Sequence, residues 1–499
     1  MVITDLTRSI RRDYMKRLIT FILALVMLCT VLAACADKNE NKPDDNKDDG
    51  SVVEKNWTKK QYDFDGYVFT IVSRKNTNNV IGFNGSDINA EEITGNEVLD
   101  AVYNRNRSIE TAYNCVIEQN DTDGSASAVK TVLMAGSDDD CALVATSFEH
   151  TASLIKEELL MELQDERFVN LDLKQPWYDQ NIQRDLAINK KIYAVAGDML
   201  FTDENSLWVT LFNKKLVEQY MPDVNLYDAV LEGKWTFDLM TKYAALATIE
   251  IQADDKMNEH DQFGILAEPS VACLMGPSGQ RYMEVTEDGG LKNNIFTPEF
   301  NSLFVKCVAI MDKSHTLLSS EMLGYKDYWE EAYNPMFKEG RAMFMLTSMY
   351  RCLMFREMET DFGVLPLPNE KEGNQYYSWM TRHTGVVAIP YVCVDHERTS
   401  AIMEALFEES SYELAPAYKE NAIKYKSTRD DESIEMLDII FGNIIYDVGY
   451  MYNLAGVHQT ITNLVKRRSP GQLSSELKKV EKNVGTQMTE LLTLFGYQQ

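Results

Sequence analysis

The sequence has few cysteines, and their spacing matches no metal or disulfide pattern. The 499 residues contain 8 cysteines, without a CxxC pair or the ligand spacing of a zinc site. Most of those after residue 100 lie in apolar stretches, such as Cys307 in LFVKCVAIM. This placement favours buried free thiols over a disulfide framework.

Catalytic motifs are also lacking. The chain has no G-x-S-x-G elbow, no HExxH helix and no P-loop. The 6 histidines show no metal-ligand spacing. Carboxylates are so numerous that a pair of them says nothing about glycoside hydrolysis. The residues therefore indicate no enzyme class, no metal and no cofactor.

Basic charge is scarce. Lys and Arg number 49 against 77 Asp and Glu, which gives a net charge of −28. Residues 1–34 alone carry a net +3, so the rest of the chain is at −31. Such acidity excludes nucleic acid and a general anionic lipid surface as partners.

Only one long apolar run is present, Leu18–Val31, and it follows a basic segment that includes Arg11 and Arg12. A basic start, an apolar stretch and small residues before a cut are typical of a secretory signal. The run is shorter than the ~20 residues of a spanning helix. Leu32-Ala33-Ala34-Cys35 resembles the lipobox of bacterial lipoproteins. This resemblance implies cleavage before Cys35 and lipidation of its sulfur, which would moor the protein at the outer face of the cell membrane. An uncleaved membrane anchor is the alternative.

The segment after the lipobox is polar and acidic. Residues 35–56 contain almost no large apolar side chain and cannot offset the entropy of ordering. We expect a disordered tether here, with the folded body starting near Trp57. That body is long enough for two domains.

Strand and helix patterns alternate at the start of the body. Phe69–Val72, Val116–Glu118 and the stretch SDDDCALVAT predict strands, and helical spacing between them predicts two helices. This order is typical of an α/β layer with a mostly parallel sheet. Further along, the patterns predict a helix over Ser147–Leu163 and a strand over Lys191–Ala196.

Eight landmarks follow in one order along the body: DDDCALVATSF, LKQPWYDQNIQRDLAINKKIYAVAGD, LWVTLFNKKLVEQY, GKWTFDLMTKYA, DQFGI, NPMFKEGRAMFML, DFGVLPLP and HTGVVAIP. Together they resemble the extracellular solute-binding proteins of sugar-type ABC importers, the maltose-binding-like group. The resemblance implies an α/β, two-lobed periplasmic-binding-protein-like fold with a ligand cleft. It places lobe 1 at 57–200 plus 384–445 and lobe 2 at 201–383 plus 446–499. Crossings between the lobes are expected near 198–203, 382–385 and within 440–455.

The resemblance further implies a binding protein without cofactor. It would capture a sugar or oligosaccharide, close around it and deliver it to the permease subunits of an ABC importer. The loop around Asp254 and Asp261 is similar to calcium-binding loops of some relatives, but it lacks the ordered ligand pattern and is better explained as a solvated acidic loop.

Sugars need aromatic platforms and polar rims. The resemblance implies that residues of these types at strand ends and crossings, where relatives carry ligand-binding residues, are the candidates. They are Arg74, Ser147, Phe148, Glu149, Asp198, Asp203, Trp208, Tyr350, Trp379, Arg382 and His383. For Trp379 the alternative is packing at a crossing, and for Asp198 and Asp203 it is a capping or loop role. Arg382 is expected to bind a pair of sugar hydroxyls or an acidic sugar group; the alternative is that its side chain faces solvent.

Two other function classes stay open. An exported glycoside hydrolase would turn over an oligosaccharide, whereas a receptor would bind it unchanged. A surface adhesion or scaffold lipoprotein would show no stabilisation by a small molecule, because only a ligand that binds the folded state raises stability.

Overall fold

The computed structural model describes residues 61–75, 85–137, 139–201, 204–270, 272–355, 358–419 and 431–498. The residues from Gln61 onward form one compact unit. The predicted signal segment, the tether, Cys35 and Asp203 lie outside the described residues. In the described ranges, no helix combines the length and the apolar character needed to cross a bilayer.

The first sheet contains the strands predicted near the start of the body. Its strands are β1 (Tyr67–Arg74), β2 (Cys115–Thr122), β3 (Leu143–Ser147) and β12 (Gly385–Ala388). Their spatial order is β12-β3-β1-β2, with β1 parallel to β2 and β3, and β12 antiparallel to β3. Helices α1 (Glu97–Tyr113) and α2 (Ala126–Ala135) connect the first three strands. The predicted alternation of strands and helices is confirmed.

The second sheet is mixed. Its strands are β4 (Trp208–Asn213), β5 (Phe263–Ala267), β8 (Thr316–Leu318), β9 (Ala342–Ser348) and β10 (Phe362–Leu365). Their spatial order is β10-β4-β9-β5-β8. Strand β5 is parallel to β8 and β9, whereas β4 runs antiparallel to β9 and β10. Every residue of β4 and β9 is buried, as their apolar sequences require for strands covered on both faces.

Helices and short strands complete the unit. The helices are α3 (Phe148–Lys156), α4 (Gln180–Leu186), α5 (Lys214–Tyr220), α6 (Leu226–Leu231), α7 (Phe237–Leu246), α8 (Ala272–Met275), α9 (Pro298–Ile310), α10 (Asn334–Lys338), α11 (Tyr350–Phe355), α12 (His396–Tyr412), α13 (Leu414–Pro416), α14 (Asp431–Gly442), α15 (Val448–Met451), α16 (Val457–Lys466) and α17 (Leu473–Leu494). The short strands are β6 (Met283–Val285), β7 (Leu291–Asn293), β11 (Ser378–Trp379) and β13 (Ile444–Ile445).

Two local predictions are wrong. The helix expected over Ser147–Leu163 ends at Lys156, because Glu158 takes a left-handed conformation with φ of 57° that a helix does not tolerate. The segment Lys191–Ala196 forms no regular strand. It pairs with the first sheet at Val195, whose backbone exchanges two hydrogen bonds of 3.0 and 2.8 Å with Val387.

Three chain segments pair with one another outside the two larger sheets. Strand β11 pairs in parallel with β13, and Met380 pairs with Leu207 on the way into β4. Strand β13 lies within the predicted crossing at 440–455. Strand β11 and Met380 lie a few residues before the predicted range 382–385, and Leu207 lies a few residues after 198–203. Trp379, in β11, has 1% of its surface exposed.

Helix α14 packs with the second sheet. Ser433 lies 2.8 Å from the hydroxyl of Tyr227, and its Oγ accepts a hydrogen bond of 3.4 Å from the N–H of Val364 in β10. The sequence-based bounds assigned this helix to the first lobe, within 384–445. Its side chains Met436 and Ile440 are buried. The lobe bounds stay predictions.

Candidate functional site

A cavity of about 550 Å³ lies where strands of both sheets end. Arg74 ends β1 of the first sheet. From the second sheet, Glu268 follows β5, Ser319 follows β8 and Ser348 ends β9. These are carboxyl ends of parallel strands, the usual position of ligand sites in open α/β sheets. We call this space the cleft cavity. A depression of about 620 Å³ beside α6 and α7 lies away from the strand ends and is lined mainly by charged surface residues.

Four of the predicted site residues line the cleft cavity: Arg74, Trp208, Arg382 and His383. Trp208 opens β4 opposite Ser348. Since β4 is antiparallel to β9, its first residue lies beside the last residue of β9, which brings the indole to the cavity. Arg382 and His383 lie in the segment that leads into β12.

Glu149 adjoins this wall. Its carboxylate lies 3.3 Å from Nη2 of Arg382 and 3.5 Å from Nδ1 of His383. Its neighbours in sequence have other roles. Ser147 is buried, with its Oγ 3.2 Å from Nδ1 of His150. Phe148 is also buried, with its ring centroid 5.5 Å from that of Tyr452.

The remaining described candidates do not line the cleft cavity. Trp379 packs in the crossing, 5.3 Å from the ring of Tyr450. Tyr350 is half-buried at the start of α11. Asp198 forms an ion pair of 3.5 Å with Lys419, and burial raises its pKa to about 6.

Sequence reasoning missed three aromatic residues of the wall, Tyr328, Trp329 and Tyr450. Trp329 begins a π-helical turn that ends at Tyr333, and such turns recur at functional sites. The guanidinium of Arg351 lies 4.8 Å from the Trp329 ring centroid. An available signal was the density of aromatics in the polar segment YKDYWEEAY.

Arg351 is buried, with 2% of its surface exposed. Its Nη1 contacts the sulfur of Met354 at 3.3 Å, but its Nε and Nη2 have no hydrogen-bond partner among the described residues. The charge of Arg351 also acts on the carboxyl group of Glu268, a residue of the cavity wall. Burial raises the pKa of Glu268 to about 7, and the charge of Arg351 opposes that rise.

The pKa values of two histidines of the wall are lowered. Loss of solvent in the cavity lowers the pKa of His383; the Glu149 carboxylate opposes this shift and the charges of Arg382 and Arg74 add to it. Burial lowers the pKa of His458 to about 3, with further lowering by Arg382. His458 packs against the ring of Tyr450 at 4.7 Å.

No group of three or more His, Cys, Asp or Glu side chains suits a metal ion in the described parts of the chain. In the acidic loop, the carboxylate of Asp261 accepts backbone hydrogen bonds from Ile251, Gln252 and Asn258 at 2.7 to 3.2 Å. Asp261 therefore organises its own loop.

The fold matches solved structures over most of the chain. An ABC substrate-binding protein from Listeria monocytogenes, in complex with cycloalternan, has a TM-score of 0.53 at 13% identity; the match covers 85% of this chain and 100% of that one. A cyclo/maltodextrin-binding protein complexed with maltotetraose has a TM-score of 0.55 at 14% identity, over 85% and 97% of the two chains. The chain has the fold of the sugar-binding ABC solute-binding proteins.

The maltose-maltodextrin binding protein of Alicyclobacillus acidocaldarius shows the same solute-binding fold, with a TM-score of 0.51 at 14% identity over 84% of this chain and 100% of that one. No known family profile matches the sequence, and no curated protein matches it. The predicted two-lobed α/β solute-binding fold is thus shown by structure alone.

Proposed function

We propose that this protein is the solute-binding component of an ABC importer and captures a carbohydrate in the cleft cavity without altering it. One observation carries the proposal: a cavity of about 550 Å³ at the strand ends of both sheets, in the fold of sugar-binding proteins. The solved relatives hold cycloalternan, maltotetraose and maltotriose.

The wall chemistry suits a sugar. Trp208, Tyr328 and Trp329 offer aromatic faces for the C–H side of a sugar ring. Ser348 lines the same wall, and its buried Oγ has no partner among the described residues. A sugar hydroxyl would satisfy that group, since a buried polar atom without a partner costs about 1–3 kcal/mol.

The paired segments between the two sheets would act as the hinge about which the cleft closes. Three short paired segments, at Leu207, β11 and β13, join the two sheets. Rotation about such a junction would bring the Arg74 and Trp329 walls together, a hinge closure that a sugar favours only by binding the closed form better. The permease would then recognise the closed protein.

The binding test uses full-length protein purified in detergent and titrated calorimetrically with a saccharide panel. We expect saturable heat and recovery of the sugar unchanged by mass spectrometry. Trp329→Ala should weaken binding at least about tenfold, whereas Phe296→Ala, which removes an exposed ring outside the cavity, should not. Turnover of the sugar would indicate a hydrolase instead, and no binding by any saccharide would contradict capture.

Anchoring at the outer face of the membrane is the second part of the proposal, and it rests on the sequence around Cys35. In a bacterial host, Cys35→Ser should abolish incorporation of labelled palmitate and release the protein from the membrane fraction. The matched control is Cys29→Ser, because Cys29 lies in the segment removed with the signal. Equal labelling of the two variants would disprove lipidation at Cys35.

A further inference from the structure

The cleft cavity has the opposite charge to the rest of the protein. The whole chain carries 77 acidic and 49 basic side chains. The wall of the cavity contains three cations, Arg74, Arg382 and Lys466, and one carboxylate, Glu268. An acidic protein that concentrates cations in its ligand cavity focuses a positive potential there.

Arg382 is held in a defined position. Its side chain is 16% exposed, and its guanidinium lies 5.6 Å from the ring centroid of Tyr450. Its Nη2 contacts Glu149, but its buried Nε has no hydrogen-bond partner among the described residues. A neutral ligand that gave it no acceptor would leave this buried donor unsatisfied, at a cost in binding.

Arg74 and Lys466 are available to a ligand. In the described ranges neither forms an ion pair with a carboxylate. Asp123 is close enough for the charge of Arg74 to lower its pKa, yet forms no ion pair with it. Arg74 and Arg382 line the same cavity as His383, and the charge of each lowers the pKa of His383.

The acidic groups nearby offset only part of this charge. Glu149 is not part of the wall and is already shared between Arg382 and His383. Burial raises the pKa of Glu268 to about 7, so that its carboxyl group is partly protonated at neutral pH. The wall therefore stays net positive around its aromatic faces.

We propose that the ligand is an anionic saccharide whose carboxylate, as in uronic acid sugars, is bound by Arg382 and Arg74. Guanidinium groups are suited to carboxylates because their planar N–H groups match the two oxygens. Trp329 and Tyr328 provide the sugar platform in the same cavity. This inference rests on the proposed capture of a carbohydrate and narrows its substrate class.

The test titrates full-length protein with oligogalacturonates, oligomannuronates and glucuronoxylan oligosaccharides, each paired with its neutral methyl ester. Maltooligosaccharides and a sulfated disaccharide complete the panel. We expect one uronate to bind at least about tenfold tighter than its ester, with affinity falling as salt rises.

Variants identify the residues responsible. Arg382→Gln and Arg74→Gln should each lower the affinity for the uronate at least about tenfold while changing that for the ester less than about threefold. Arg74→Gln serves as the second variant should the loss of the Glu149 contact impair folding of Arg382→Gln. The control is Arg167→Gln, on an exposed arginine paired with Asp165.

The outcomes separate the two proposals. Equal binding of acid and ester, or binding of maltooligosaccharides or the sulfated sugar alone, would overturn the carboxylate inference and leave carbohydrate capture standing. No binding by any member of the panel would overturn both.

Discussion

Glu149, which follows the end of β3, contacts Arg382 through both its side chain and its backbone. Its carboxylate is 3.3 Å from the Arg382 guanidinium, and its backbone N–H donates a hydrogen bond of 2.9 Å to the carbonyl of Arg382. The N–H of Phe148 likewise donates to the carbonyl of Thr384 at 2.9 Å. The first N–H groups of α3 are thus used to fix one wall of the cavity.

The first prediction concerns the charge of Glu149. Because its carboxylate raises the pKa of His383 against the lowering by lost solvent, Glu149→Gln should lower that pKa further. Nuclear magnetic resonance titration of labelled histidines measures the change. Glu157→Gln is the control, on an exposed residue near the other end of α3 that pairs with Lys130. An unchanged or higher His383 pKa in Glu149→Gln would contradict the assigned contact.

The second prediction tests the crossing. A Cβ at Gly276 would lie 2.4 Å from the buried ring of Trp379, which has no room to move. Gly276→Ala should therefore destabilise the protein by about 1–3 kcal/mol. In contrast, Gly485→Ala meets open space within α17 and should stabilise it by about 0.5–1 kcal/mol. Thermal unfolding compares the two, and equal melting temperatures would refute the close contact.

The third prediction follows from the protonation of Glu268. Its pKa rises from 4.5 to about 7 in the folded state. Between these values the folded protein holds a proton that the unfolded chain has lost, so this contribution to stability is complete below about pH 4.5 and is lost as the pH rises to about 7. Arg351 and Tyr328 are the charged and titratable groups that interact with it.

Glu268→Gln removes this dependence. Its stability relative to the unmodified protein should rise by on the order of 1–3 kcal/mol between pH 5 and 8, measured by denaturant unfolding at each pH. Burial also raises the pKa of Asp447 to about 7. Because Asp447 is present in both proteins, its contribution cancels in the difference between their stabilities. Glu299→Gln, on the surface of α9, should show no such trend. A flat difference for Glu268→Gln would disprove the protonated state.

The fourth prediction compares two buried arginines. Arg105 is fully buried, and its guanidinium donates to the carbonyls of Asp87, Ile88 and Met199 at 2.8 to 3.2 Å. Arg105→Met should cost about 3–5 kcal/mol, because it leaves those acceptors unpaired. Arg351 is equally buried but has two unpartnered nitrogens.

Arg351→Met should therefore leave the free energy of unfolding unchanged or increase it, while weakening saccharide binding through the loss of the contact with Trp329. Chemical denaturation and calorimetry measure the two effects separately. A large loss of stability in Arg351→Met would show that its role is structural.

The sequence determined the elements whose signals are local. Thr236 predicts the start of α7, and its side chain accepts the N–H of Leu239 as expected of an N-cap. The apolar run before the helix predicted from Asn213 predicts β4, and the alternation of patterns predicts the first sheet. These features depend on neighbours a few residues apart, so they can be predicted without knowing the fold.

The site depended on contacts that no local pattern contains. Gly385 pairs with Ser147 across more than two hundred residues, and this pairing brings Arg382 to the cavity while Phe148 turns into the core. Likewise, Trp379 and Tyr328 are both aromatics in polar surroundings, yet only Tyr328 lines the cavity among the described residues. The sequence alone determined the first three strands of the first sheet, the acidic charge and the predicted lipid signal. Only the tertiary structure decided which side chains face the ligand, because side-chain direction is fixed by the packing of distant segments.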